Sequence, residues 1–162
     1  MIKTEIDNVR TNDEVIHVVT HSMGGIILRY IQQTDPIQNL GKVVMLSPPN
    51  QGSEVVDVLG DRKLFKLLNG PAGQQLGTNA DGIVHSLGDA DFELGIIAGD
   101  RSVNPVLSMM IPGKDDGKVS IERSKLKGMK SFKVVHASHT FIMKNNLVGQ
   151  CVVSFLKSGA FE

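Results

Sequence analysis

Residues 15 to 31, Val-Ile-His-Val-Val-Thr-His-Ser-Met-Gly-Gly-Ile-Ile-Leu-Arg-Tyr-Ile, constrain the fold of this chain more than any other stretch. The β-prone run Val15 to Val19 leads into Thr20-His21-Ser22-Met23-Gly24-Gly25, and a helical apolar pattern follows at once. A strand, a tight turn with serine at its tip and a helix make a nucleophile elbow. Such a turn holds the serine at strained backbone angles with its hydroxyl clear of the sheet, and small neighbours let strand and helix pass closely. Ser22 Oγ is thus expected above the carboxyl ends of the strands. The Met23 N–H, at the helix N-terminus, is expected to aim into the same space as an oxyanion donor. The usual pattern is G-x-S-x-G, and here Thr20 stands in the place of the first glycine, a tighter fit at a position that is still strand. A serine that merely capped a βα turn would leave Gly24-Gly25 without a purpose.

The rest of the chain alternates between strand-like and helix-like stretches. Ile2, Ile6 and Val9 lie on one face of a short helix, and Asn12-Asp13 turn the chain into the nucleophile strand. Ile27, Leu28, Tyr30 and Ile31 give the helix after the elbow a broad apolar face, and Asp35-Pro36 ends it. Lys42 to Leu46 is a short buried strand that stops at Ser47-Pro48-Pro49-Asn50-Gln51-Gly52-Ser53, with Ser53 placed to cap a helix from Glu54. Residues 54 to 90 contain a Gly-rich stretch of little periodicity, which suits a cap or pocket wall and equally a plain surface helix and loop. Glu93 to Ala98 reads as a third strand and Phe132 to Val135 as a fourth. The long loop Arg101 to Lys118 carries Met109-Met110-Ile111-Pro112, which would line an acyl site or fill gaps in the core. A last helix from about Asn146 to Lys157 places Leu147, Val148, Cys151, Val152, Phe155 and Leu156 on one face. Strands alternating with helices predict an α/β fold with a mostly parallel sheet and flanking helices.

Composition bounds the function. At 162 residues the chain is expected to be a single domain spanning 1–162. Lys plus Arg and Asp plus Glu are both 17, so no net field draws it to nucleic acid or to an anionic membrane. The lone Cys151 excludes an internal disulfide and reads as an inert core residue. No stretch approaches the roughly 20 apolar residues of a membrane span, and the N-terminus has no signal-peptide core, so a cytoplasmic location is the expectation. No cofactor is called for. Among the five histidines only His136 and His139 are paired in spacing, without clustered carboxylates, so a metal is not expected. Gly24-Gly25 belongs to no phosphate-cradling pattern.

A serine nucleophile needs a base within hydrogen-bond reach and an acid to orient that base. The loop after the fourth strand, His136-Ala137-Ser138-His139-Thr140-Phe141, offers two histidines. His139 is preferred because it lies deeper in the loop, just before the last helix, whereas His136 borders the strand. Two acids compete for the third place. Asp100 ends the third strand, while Asp116 sits in an Asp-Gly turn within Lys114-Asp115-Asp116-Gly117-Lys118-Val119-Ser120, beside Asp115. The order Ser22, Asp116, His139 is the order expected of an α/β-hydrolase.

These pieces make the chain resemble the C-terminal two-thirds of an α/β-hydrolase of the serine esterase/lipase superfamily. The resemblance rests on Thr20 to Gly25, Ser47 to Ser53, Asp116-Gly117-Lys118-Val119-Ser120 and His139-Thr140-Phe141, and it spans nearly the whole chain from Asp13 onward. It implies Asp116 as the acid, as the aspartate of an Asp-Gly-x-Val segment. It implies Ser22, Asp116 and His139 as a catalytic triad with the Met23 N–H as oxyanion donor, and a substrate site bordered by His21, Pro49, Asn50 and Gln51. Members of the superfamily carry an earlier strand ending in a His-Gly segment that donates a second oxyanion N–H. Only residues 1 to 14 precede the nucleophile strand here, so that segment is absent from this sequence.

Two functions are expected from this reading. The first is a serine hydrolase acting on a small-molecule carboxylic ester or lipid. The second is an impaired remnant that binds without turning over, because losing one oxyanion donor costs roughly 10²–10³ in rate. The missing neighbour would also leave Val15 to Thr20 as an apolar edge. Such an edge recruits another chain, so a homo-oligomer, or association with a separate N-terminal segment, is expected there.

Overall fold

The structure is a computed structural model that describes residues 4, 5, 14–59, 78 and 82–162. Four strands, β1 (Ile16–His21), β2 (Leu40–Leu46), β3 (Leu94–Gly99) and β4 (Ser131–Val135), form one sheet in the order β1-β2-β3-β4, and every pair is parallel. The helices are α1 (Met23–Thr34), α2 (Glu54–Leu59), α3 (Ile83–Ser86), α4 (Pro105–Ser108), α5 (Ile121–Ser124) and α6 (Asn146–Ser158), with a 3₁₀ turn at Ile142–Lys144. The expectation of an α/β architecture with a parallel sheet is met.

Period-two alternation decides which helix covers which face. On β2, Val43 and Met45 join Leu94, Ile96 and Leu28 of α1 in one cluster. Their neighbours Val44 and Leu46 join Ile97, Val148, Cys151 and Phe155 of α6 in another. β2 and β3 are therefore buried on both faces, as continuous apolar runs in a parallel sheet require. Cys151 is a core residue, 1% exposed. Phe155 lies so close over β3 that a Cβ at Gly95 would stand 2.8 Å from its ring. The Asn145 side chain caps the start of α6 by accepting from the Leu147 and Val148 N–H groups, and Gly159, at φ 81°, closes its end in the left-handed conformation.

Among the described residues β1 pairs only with β2, and Val15 and Val19 are exposed along it. The helix expected over residues 2 to 9 lies, apart from residues 4 and 5, outside the described residues, as does most of the segment 54–90. The hydroxyl of Ser53, the residue expected to cap α2, donates to the Lys118 carbonyl at 2.7 Å. That bond ties the β2 loop to the Asp-Gly turn.

Candidate active site

The elbow has the strained geometry the motif demands. Ser22, between β1 and α1, sits at φ 54° and ψ −126°, a conformation that L-residues adopt only when their surroundings enforce it. Its N–H donates to the Leu46 carbonyl at 2.9 Å, and its carbonyl accepts from the Gly25 N–H at 3.1 Å. Gly25 is the position where the helix passes closest to the sheet: a Cβ there would stand 3.0 Å from Met45 Sδ and 3.2 Å from Pro48 Cβ. Gly24 is roomier, with Thr20 Cβ at 3.4 Å. The threonine that replaces the first glycine is accommodated, yet its buried Oγ1 has no hydrogen-bond partner among the described residues. Met23 opens α1, so its N–H has no acceptor within the helix.

Ser22 Oγ lies 2.9 Å from His139 Nε2, and His139 Nδ1 lies 2.8 Å from Asp116 Oδ2. The three residues come from the β1 elbow, the loop after β4 and the loop after β3, all at the carboxyl end of the sheet. Asp116 is held from several sides. Its Oδ1 accepts from the Lys118 and Val119 N–H groups at 3.0 and 2.9 Å, and its carbonyl accepts from the His139 N–H at 2.9 Å. Burial pushes its carboxyl up. The His139 hydrogen bond and charge outweigh this, helped by the Ser47 hydroxyl and the Val119 N–H, and they hold it below the usual carboxylate range. Ser47 is a feature that sequence reasoning missed. It is 1% exposed at φ 45°, and its hydroxyl stands near enough to favour the anion without forming a well-shaped hydrogen bond.

The competing candidates find each other. His136 Nδ1 lies 2.9 Å from Asp100 Oδ1, an exposed pair across the ends of β3 and β4. Asp115 serves its own turn, accepting from the Gly117 N–H at 2.7 Å and from the Ser108 hydroxyl. Gly117, at φ 98°, supplies the left-handed residue this turn needs.

The residues expected to border substrate are placed differently from one another. His21 faces the triad: its Nε2 lies 3.0 Å from the His139 carbonyl, with the two ring centres 4.9 Å apart. Burial lowers its pKa, and the charge of His139 adds to this. Pro49 and Asn50 are buried. Asn50 is turned into the protein, its amide donating to the Ser124 carbonyl at 2.9 Å and its own carbonyl accepting from Arg29 at 3.0 Å. Gln51 is exposed, and its amide reaches the Lys125 carbonyl at 3.2 Å. These bonds anchor the β2 loop to α5, so the polar groups of Asn50 are taken up by the protein rather than offered to a substrate. In the Met109-to-Pro112 run, Met109 is 81% exposed while Ile111 is buried in the protein. Among the described residues no group of three or more His, Cys, Asp or Glu is placed to hold a metal ion. No described helix is long and apolar enough to cross a membrane.

Comparison with solved structures agrees with this arrangement of elements. The mature form of the Bacillus licheniformis lipase BlEst2 superposes with a TM-score of 0.69 at 17% identity, covering 96% of this chain and 70% of that one. The fold is α/β-hydrolase-like. The propeptide form of the same lipase gives a TM-score of 0.74 at 18% identity, over 96% of this chain and 38% of that one. The Legionella pneumophila phospholipase PlaB gives 0.61 at 21% identity, over 76% of this chain and 32% of that one. The chain thus spans about a third of the two longer proteins. No protein-family model and no curated protein sequence matches it.

Proposed function

We propose that this α/β-hydrolase-like chain is a serine hydrolase that cleaves carboxylic esters. The observation that carries the reading is the unbroken line of hydrogen-bond distances from Ser22 Oγ through His139 to Asp116. Ser22 Oγ attacks the acyl carbon while its proton passes to His139 Nε2. Asp116, ionised and buried, keeps the Nδ1 proton on the far side of the ring and stabilises the imidazolium that forms. The tetrahedral oxyanion is met by the Met23 N–H at the positive end of α1. Collapse of this intermediate breaks the ester C–O bond, and His139 returns the proton to the leaving alcohol. A water then attacks the acyl-serine, with His139 again taking the proton and returning it to Ser22. The products are a carboxylic acid and an alcohol. The similarity to a lipase and a phospholipase supports an ester of a fatty acid as the substrate class.

The test is p-nitrophenyl acetate turnover by the purified chain against Ser22→Ala, together with labelling by a fluorophosphonate. Serine-dependent turnover and a single adduct on Ser22 are expected. Equal rates and no adduct on folded protein would instead favour a binding module that has kept the triad geometry.

A further inference from the structure

The zero net charge conceals a polarity along the chain. Residues 1 to 100 hold seven Lys and Arg against thirteen Asp and Glu, whereas residues 101 to 162 hold ten against four. Of those four acids, Asp115 and Asp116 are buried, and Glu122 is paired with Lys125. Arg123 and Lys127 are likewise paired, with Glu54 and Asp89. Arg101, Lys114, Lys118 and Lys144 make no ion pair among the described residues. All four stand in the segments that follow β3 and β4, at the end of the sheet that carries Ser22 and His139.

The same segments expose large apolar side chains. Val103, Val106, Met109, Phe141 and Met143 are each more than half exposed. Arg101, Val103, His136, Ser138, Phe141 and Lys144 share the wall of one open cavity of about 410 Å³, on the loop that carries His139. The Asp100 carboxylate borders them, 24% exposed and 2.9 Å from His136 Nδ1. Cations and apolar side chains thus occur together there. An anionic bilayer rewards this combination: its surface potential attracts each Lys or Arg, and the apolar side chains enter the headgroup boundary. A nucleic acid would use the cations, but would gain nothing from Val103, Val106 and Met109.

We propose that the loops after β3 and β4 form a peripheral docking surface for a bilayer of anionic phospholipid, which presents the Ser22 site to that surface. The cations and apolar side chains carry this proposal, and the reactivity of Ser22 does not enter it. The test therefore uses the full chain carrying Ser22→Ala, sedimented with vesicles of phosphatidylcholine containing 30% phosphatidylglycerol and with vesicles of phosphatidylcholine alone (roughly the contrast in surface charge that separates anionic from neutral membranes). Binding to the anionic vesicles that weakens with salt is expected, with much weaker binding to the neutral ones. Each cation near such a surface contributes about fivefold in affinity, so Arg101→Gln with Lys144→Gln should weaken binding at least about tenfold. Met109→Ser with Phe141→Ser should also release the protein. All four positions are exposed, and circular dichroism checks that each variant is folded. In the Ser22 background, the charge pair Arg101→Gln/Lys144→Gln should keep the activity of the parent on soluble p-nitrophenyl acetate. Failure to bind, equal binding to both vesicles, undiminished binding by the charge variant, or binding to a single-stranded oligonucleotide in place of vesicles would each overturn the proposal. None of these outcomes depends on whether Ser22 is a nucleophile.

Discussion

His21 Nε2 lies 3.0 Å from the backbone carbonyl of His139, so the residue before the serine holds the loop that carries its base. A carbonyl only accepts, so His21 must carry its proton on Nε2 and donate it. The ring is half-buried beside His139, Asp116 and Lys118, and burial is the first cause of its lowered pKa. The sign of the pH effect follows from linkage. The unfolded chain takes up the His21 proton near the ordinary value of about 6.5, before the folded chain does. Stability from this group is therefore complete above that value and is lost as the pH falls toward the lowered folded value. We expect His21→Gln to flatten the loss of stability between pH 7.5 and 5.5, measured as urea midpoints at the two values. An unchanged pH slope would mean that His21 titrates alike in both states.

The buried Thr20 hydroxyl without a partner is the local cost of a threonine where the elbow motif carries glycine. An unsatisfied buried hydroxyl costs about 1–3 kcal/mol, and replacing it with a methyl group of the same shape removes that cost. Thr20→Val should accordingly stabilise the protein by about 1 kcal/mol without moving Ser22. Thermal unfolding alongside fluorophosphonate labelling tests both halves. A lower Tm would show that the hydroxyl is satisfied in solution, for instance by a water.

The parts of the chain that were legible in the sequence are those where a short local pattern has one physical solution. Apolar runs bounded by turn residues placed all four strands to within two residues at either end, because a strand buried on both faces admits little else. The helix from Asn146 was equally clear from its apolar stripe, and the structure adds the Asn145 cap and the closing Gly159. Motif context and loop position singled out Ser22 and His139, whereas chain order fits Asp100 and Asp116 alike and only the resemblance chose between them. The structure brings Ser22, His139 and Asp116 within hydrogen-bond distance. Side-chain direction within a loop was not legible. Asn50 follows β2 beside the elbow, as expected, but it faces inward because Ser124 and Arg29, distant in sequence, supply its partners. The positive φ of Ser47 had no sequence signal, as serine has no preference for that conformation. Arg29, between Leu28 and Tyr30, carries no sequence signal of its burial.

Arg29 is in fact 5% exposed. Its guanidinium donates to the carbonyls of Asn50, Val84, Leu87 and Gly88 at 3.0, 3.3, 2.9 and 3.2 Å. Burial lowers its pKa, and Asp89 partly offsets this. One cation thus joins α1 to the β2 loop and to α3, which makes it a structural centre behind the site. Arg29→Met leaves those acceptors buried without a donor and should cost about 3 kcal/mol in urea unfolding. Arg29→Lys should recover only part of this, because an ammonium lacks the planar fork that reaches several carbonyls at once. Full stability in the lysine variant would show that charge alone suffices.

Among the described residues two His–Asp pairs are of nearly equal length, and one of them ends on a serine. His139–Asp116 is 2.8 Å long, buried, and continues to Ser22, whereas His136–Asp100 is 2.9 Å long and exposed. Asp116→Asn preserves volume but replaces the carboxylate that accepts from Nδ1 with an amide that can donate. The amide stabilises the wrong tautomer and cannot stabilise the imidazolium. If Ser22 is the nucleophile, kcat should fall roughly 10⁴-fold with KM little changed, because the acid acts on the base rather than on bound substrate. Asp100→Asn breaks an equally short pair that lies away from the serine, in solvent, where such an interaction contributes little. Its kcat should stay within about twofold of the parent. The two variants, assayed side by side on p-nitrophenyl acetate, separate proximity of a histidine and an aspartate from continuity with the nucleophile. A loss in Asp100→Asn as deep as that in Asp116→Asn would mean that the second pair also supports the reacting loop.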